Sequence, residues 1–258
     1  MTSVIEISWL QLSLSLLFIL IAAAASLYYR LKLEKDLLIG SVRTVAQLAL
    51  VGYLLQFIFD LEHPLLILLL YMWMLFWAAH AIRGRVEEER VAILGPTFVS
   101  MAVTFTLITV MVTRVVVQVE PWYQPQYFIP LGGMIAGNAM NAVSLSLERL
   151  LSSLRDQRQE VELVLSLGGN WQEASQRLRR EAIRAGMIPS INAMMTVGLV
   201  SLPGMMSGQI LAGVDPALAV RYQILVMLML VGATALGTLI VVNLILKRCF
   251  TRLDQLRL

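Results

Sequence analysis

Charge is scarce in this chain. Only 14% of its 258 residues are Asp, Glu, Lys or Arg, against about 25% in an average globular domain. With 58% hydrophobic residues, that shortage excludes an ordinary soluble domain. Cysteine is scarcer still: the single Cys249 excludes an internal disulfide and any CxxC metal or redox motif. The two histidines, His63 and His80, stand alone, with no metal-ligand partner four residues on. Neither HExxH nor the GxxxxGK[ST] phosphate loop occurs. The chain therefore reads neither as a zinc protease nor as a P-loop ATPase.

Apolar length is what the chain has. Seven segments, near 7–29, 37–59, 64–82, 91–113, 127–147, 188–212 and 219–246, reach the length of about 20 residues needed to span a hydrocarbon core. Their interiors contain no Asp or Glu, which removes the carboxylate pair of an intramembrane aspartyl protease. Ser207 lies in Gly-Met-Met-Ser-Gly, but both histidines are upstream near span ends, so a Ser–His pair is not formed. No catalytic residue and no metal cluster is expected. The fold class is all-α: one polytopic membrane domain over 1–258 with seven transmembrane helices.

The pI of about 9.2 comes from sidedness, not from nucleic-acid binding. Arg30, Lys32 and Lys35 follow the first span, and Arg83, Arg85 and Arg90 follow the third. Seven arginines lie in 148–186, and Lys247, Arg248, Arg252 and Arg257 close the sequence. Of the 20 Lys and Arg, 17 thus fall on one side, with Arg114 and Arg221 opposite and Arg43 inside a span. Positive-inside sorting gives an outside N-terminus and an inside C-terminus; the expected location is the plasma (inner) membrane. Ala22-Ala-Ala-Ala-Ser26 is not read as a cleavage site, because the only charge before the apolar run is Glu6. The outer loops are short; Asp60, Glu62, Glu120 and Asp215 lie in them.

The inside segment 148–187 stands out. Leu147, Leu150, Leu151, Leu154, Val161 and Leu165 make a helical stripe beside Arg155, Asp156, Arg158 and Glu160. Gly168-Gly169 supplies a stop. Asn170 with Glu173 three residues later is a capping-box variant that opens a second helix, with Ala174, Leu178 and Ala182 opposite Arg177, Arg180 and Arg184. This is a cytoplasmic helix-turn-helix between spans five and six. An amphipathic helix lying on anionic lipid is the competing reading, but Glu160, Glu162, Glu173 and Glu181 would be repelled there. A protein partner is favoured.

Polar residues interrupt the spans. Gly40, Arg43, Thr44 and Gln47 share a face of the second. Arg43 lies about 10 Å from the inner end, close enough to snorkel; Gln47, deeper, is expected to bond to a neighbouring helix. In the fifth, Met134, Asn138 and Asn141 share a face, and Gly133 and Gly137 form a small-xxx-small pair suited to helix packing. In the sixth, Asn192 and Thr196 stack one turn apart, and Pro203-Gly204 is expected to interrupt the helix. Such interrupted spans point to transport sites. Leu131-Gly-Gly-Met-Ile-Ala-Gly-Asn138 and Leu202-Pro-Gly-Met-Met-Ser-Gly-Gln209 match at four of eight positions and should face each other as antiparallel walls toward the outer side. The fourteen methionines read as apolar filler.

Gly133-Met-Ile-Ala-Gly-Asn-Ala-Met140, Leu167-Gly168, Ile188-Pro189, the block Thr196 to Gly208, Ala212-Gly-Val-Asp-Pro216 and Tyr222-Gln223 together resemble the FetB-type permease family. The Gly40, Arg43, Gln47 stripe fits it too, and the similarity runs from about 28 to 245. The resemblance implies the membrane subunit of an ABC exporter tied to iron homeostasis, working with a separate ATPase; a plant relative is tied to aluminium tolerance, with UDP-glucose proposed as cargo. Gly169-Asn170 replaces a commoner Ala-Thr, and Met195 stands where many members carry Lys. The partners expected are a cytoplasmic ABC ATPase, a second permease copy and the lipid bilayer. ATP would be bound by the ATPase subunit, with no cofactor in this chain. The competing classes are a helix-packing scaffold and an ATP-independent secondary transporter; the missing intramembrane carboxylates weaken the latter. The substrate pathway is expected at Arg43, Gln47, Asn138, Asn141, Asn192, Thr196, Pro203, Gly204 and Gln209. The ATPase coupling surface is expected at Glu162, Gly168, Gly169, Asn170, Glu173, Arg177, Arg180 and Arg184.

Overall fold

A computed structural model describes residues 7–59, 63–86, 91–251 and 254–257. The loop acids Asp60 and Glu62, and the basic Arg90 and Arg252, lie outside these. Every named element is helical, and pairing of extended backbone among the described residues is confined to isolated bridges. The chain divides into two compact units, residues 1–61 with 211–213, and 62–210 with 214–258.

The first unit holds α1 (Trp9–Leu14), α2 (Leu16–Tyr29) and α3 (Glu34–Phe59). Ser8 and Gln11 cap α1 reciprocally. The turn between α2 and α3 passes through Arg30 at φ 54° and is tied by one hydroxyl. Ser26 Oγ donates to Glu34 Oε1 at 2.8 Å and accepts from the Leu33 N–H at 3.1 Å. Glu34 and Asp36 in the first turn of α3 complement its dipole.

The second unit is built around α6 (Pro125–Asp156), which packs on α4 (Pro64–Arg85), α5 (Leu94–Met111, continued by a π-helical turn Val112–Val116), α8 (Trp171–Thr196) and α10 (Pro216–Cys249). Between them come α7 (Arg158–Ser166) and α9 (Gly204–Leu211). In lipid, helices associate through close van der Waals fit and small residues rather than through the hydrophobic effect. Three glycines carry that fit here. A Cβ on Gly132 would stand 2.5 Å from the buried Tyr71 ring, one on Gly186 2.6 Å from the Ala142 carbonyl oxygen, and one on Gly237 2.9 Å from Phe105. Gly133 and Gly137, expected to pack, do not: Gly133 has only ordinary contact with Met74, and Gly137 faces open space. The packing glycine of that run is its neighbour Gly132.

Among the described residues, six helical segments are long and apolar enough to cross a membrane: Leu10–Tyr29 (α1 with α2), Glu34–Phe59, Pro64–Arg85, Leu94–Val116 (α5 with its π-helical turn), Pro125–Asp156 and Pro216–Cys249. The segment expected as a further span, 188–212, is not one helix. α8 stops at Thr196, residues 197–203 turn, and α9 restarts at Gly204. The stop therefore comes earlier than the expected break at Pro203-Gly204. Gly198 takes φ +83° and donates its N–H to the Ser201 carbonyl at 2.9 Å, closing a tight turn. Pro203 then holds Leu202 out of helical geometry.

Candidate functional site

The turn 197–203 is walled by two cavities. One, of about 350 Å³, lies among Met134 and Asn138 of α6, Ala193 of α8, the turn residues Val197, Ser201 and Pro203, Met205 of α9, and Gln223 and Met227 of α10. The other, of about 420 Å³, shares Val197, Pro203, Gln223 and Met227 and is otherwise apolar. The two matching motifs do meet, since Met134 and Asn138 come from the first and Pro203 and Met205 from the second.

Asn138 donates its Nδ2 to the Met134 carbonyl at 3.0 Å. That bond commits one of the two amide N–H groups to its own helix and leaves the other N–H and Oδ1 available to a ligand. Gln223 is 5% exposed, and its Oε1 has no hydrogen-bond partner. A buried acceptor left unpaired costs about 1–3 kcal/mol, so a water or a ligand that donates to it would be stabilised there. Sequence reading missed Gln223. Its signal was an amide about two turns inside an apolar helix that starts at Pro216.

The other expected pathway residues are dispersed. Asn141 accepts from Arg85 Nη1 at 2.7 Å and does not line the cavity. Thr196 donates to the Asn192 carbonyl at 3.0 Å, satisfied within α8. Gly204 opens α9. Gln209 leaves Oε1 buried and unpartnered on the same helix, away from the lining. Arg43 and Gln47 belong to α3 in the first unit, where both side chains are exposed and neither bonds to another helix among the described residues.

The 148–187 segment folds as a capped helix-turn-helix. α6 runs to Asp156, breaks at Gln157, and α7 continues to Ser166. Gly168 then takes φ +90° and donates its N–H to Leu165 O, and Gly169 donates to Val164 O, which is a Schellman closure. Asn170 Oδ1 accepts from the Glu173 N–H at 2.9 Å while Glu173 Oε2 accepts from the Asn170 N–H at 3.0 Å. The apolar stripe Leu147, Leu150, Leu151, Leu154 and Val161 is buried, as are Leu178 and Ala182 facing it.

Charge knits the hairpin together. Arg177 bridges Glu160 at 2.8 Å and Glu181 at 3.7 Å and also donates to Gln157; Arg149 reaches Glu181 at 3.4 Å, and Arg158 pairs with Glu162 at 2.7 Å. Glu162 and Arg177, expected to face a partner, are thus engaged within the hairpin. Arg180 and Arg184 are exposed. So are three apolar residues at the tip, Leu163, Val164 and Leu167, the last 79% exposed. Sequence reading passed over them because they fall off the buried stripe. Trp171, at the start of α8, lies against Phe250 beyond α10, ring centroids 6.1 Å apart.

A family model described as an uncharacterised protein family (UPF0014) matches residues 9–250. Among relatives, a UPF0014 membrane protein of Synechocystis is 39% identical, covering 98% of both chains. The probable iron export permease protein FetB of Escherichia coli is 38% identical over 95% of this chain and 93% of its own. The protein ALUMINUM SENSITIVE 3 of Arabidopsis thaliana is 31% identical over 94% and 88%. No solved structure matches.

Proposed function

This chain belongs to the UPF0014 family of membrane proteins, and on that premise we propose that it is the permease of an ABC exporter that moves iron or a metal-linked small molecule, driven by a separate cytoplasmic ATPase. The observation that carries the reading is α8. One helix runs from the capped turn at Asn170 to the cavity at Val197, about 39 Å at 1.5 Å per residue. Its first half carries arginines and an ion-paired hairpin, and its last turn carries cavity wall. A displacement of the hairpin by a closing ATPase would move that wall directly. Pro189 inside the helix is a natural place for the rod to flex.

In this reading the last turns of α8, the 197–203 turn and α9 together make a broken seventh crossing. Non-helical backbone at membrane depth is tolerated where it lines a cavity, and this turn does. An odd number of crossings agrees with the charge sorting, N-terminus outside and hairpin inside. Two copies of the permease would pair around the pathway in a plasma membrane. The iron in the Escherichia coli relative's name supports the cargo class.

Reconstitution tests the proposal. The chain is purified with a candidate stand-alone ABC ATPase, placed in vesicles and assayed for ATP-dependent metal movement. Stable assembly, stimulated ATP hydrolysis and ATP-dependent transport are expected. Transport that proceeds undiminished without any ATPase would reject the ABC assignment.

A further inference from the structure

We infer that the cavity at Gln223 is a coordination site for a metal cation of low charge and soft or borderline character, bound entirely by neutral donors. The inference rests on the permease reading and specifies the charge class of its cargo. Six lining side chains can reach a ligand through a heteroatom: Met134, Asn138, Ser201, Met205, Gln223 and Met227. The rest of the lining is aliphatic, and it includes no Asp, Glu, Lys, Arg or His.

Each of these six side chains offers a lone pair: an amide oxygen, a hydroxyl oxygen or a thioether sulfur. Asn138 commits one of its two amide N–H groups to Met134 O, and its carbonyl oxygen is a free acceptor. Gln223 holds an unpaired oxygen in a position 5% exposed. Such an oxygen is satisfied by a proton donor or a cation and by nothing anionic. The thioethers narrow the choice. They come from three elements, α6, α9 and α10, and thioether sulfur prefers soft metals while amide carbonyls accept harder ones. Most methionines in apolar helices are filler; three lining one cavity together with two amides have a common use.

The missing carboxylates set the charge. A desolvated ion in a neutral cavity keeps its full charge uncompensated, and that cost rises steeply with charge. A trivalent hard ion, which demands anionic oxygen, is excluded. An anion finds no cationic side chain to offset its desolvation and is disfavoured as well. A monovalent soft ion fits best, and a divalent borderline ion such as Fe(II) fits next.

Binding can be measured on the full-length protein in nanodiscs, without ATPase or ATP, using Ag(I) as the redox-stable soft probe and Al(III) as the hard one. A Cys249→Ala background keeps the single thiol from competing. We expect one Ag(I) to bind and Al(III) not to bind. Met205→Leu and Gln223→Leu should each weaken Ag(I) binding by about tenfold or more, while Met229→Leu, buried on α10 outside the lining, should leave it unchanged. Met205→Leu keeps volume, so it reports on the sulfur even if Gln223→Leu folds poorly. Al(III) binding as tight as Ag(I), or Ag(I) affinity indifferent to the Met205 and Met227 sulfurs, overturns the inference. ATP-driven transport that survives these variants overturns it alone, whereas the expected binding in a protein that supports no ATP-driven transport overturns the permease reading and leaves the site standing.

Discussion

Arg85 Nη1 donates to Asn141 Oδ1 at 2.7 Å, tying the last turn of α4 to α6 across 56 residues of sequence. This bond separates two asparagines that share a helical face. Asn138 lines a cavity and bonds only to its own helix, whereas Asn141 accepts from a guanidinium. Asn141→Leu should therefore lower thermal stability and spare transport. The loss should be about 1 kcal/mol, below the usual value for a bond to a charged group because both side chains are exposed. Asn138→Leu should do the reverse. Melting curves in detergent beside transport rates separate the two, and matching effects from both substitutions would show that the face acts as one unit.

Gly132 and Gly137 predict opposite outcomes for one substitution. A Cβ at Gly132 meets the Tyr71 ring at 2.5 Å, and that ring is fully buried with its hydroxyl on Thr109 at 3.2 Å. The ring has no room to yield, so Gly132→Ala should cost about 1–3 kcal/mol, as overpacking does. Gly137→Ala meets nothing within 4 Å and gains helix propensity. It should be neutral or slightly stabilising. The pair is read by the midpoint of thermal unfolding in one detergent.

At the hairpin turn, conformation decides rather than contact. Gly168 has open space around its Cα but takes φ +90°, where a side chain costs about 1–2 kcal/mol. Asn170→Ala removes one half of the capping box, for about 1 kcal/mol. Both changes should raise proteolytic cleavage at 166–170 while leaving global melting nearly unchanged. Gly168→Pro should do so more strongly and also impair assembly with the ATPase. A hairpin as protected in these variants as in the parent would mean that something other than its turn holds it closed.

How much of this was legible in the sequence follows from the range of each interaction. The capping box at Asn170, the glycine stop and the buried leucine stripe are local, repeating within a few residues, and all were readable. The facing of the Leu131 and Leu202 motifs was readable too, because antiparallel neighbours joined by a short hairpin must meet. What escaped was set at a distance. Gly132 and Gly133 are adjacent and identical, and only the Tyr71 ring on another helix makes one of them the packing residue. Gln223 gave a weak signal, one amide in an apolar run; its unpartnered oxygen and its place in one cavity lining with Asn138 and Met205 are set by other helices. The helix end at Thr196 was hidden for the opposite reason. Pro203 is the loudest breaker in the segment, but the turn at Gly198 acts before the chain reaches it.

The hairpin tip supplies the last prediction. Its charged residues Arg177, Glu160, Glu162 and Arg158 are engaged with one another, and exposed pairs of this kind contribute little to affinity. Leu163, Val164 and Leu167 are exposed apolar residues at the tip, and the exposed Arg180 and Arg184 lie about 14 and 20 Å further along α8. Desolvated apolar side chains at the centre of a contact contribute more to affinity than charges at its margin. Leu167→Asp should therefore weaken assembly with the ATPase by at least about 2 kcal/mol, roughly 30-fold. Arg180→Glu should slow association and make it less salt-sensitive or reverse the salt effect, with a smaller loss of affinity. Neither change touches the buried stripe, so melting of the isolated permease should not move. Should Arg180→Glu abolish assembly while Leu167→Asp spares it, the contact is electrostatic, and the exposed leucines face lipid instead.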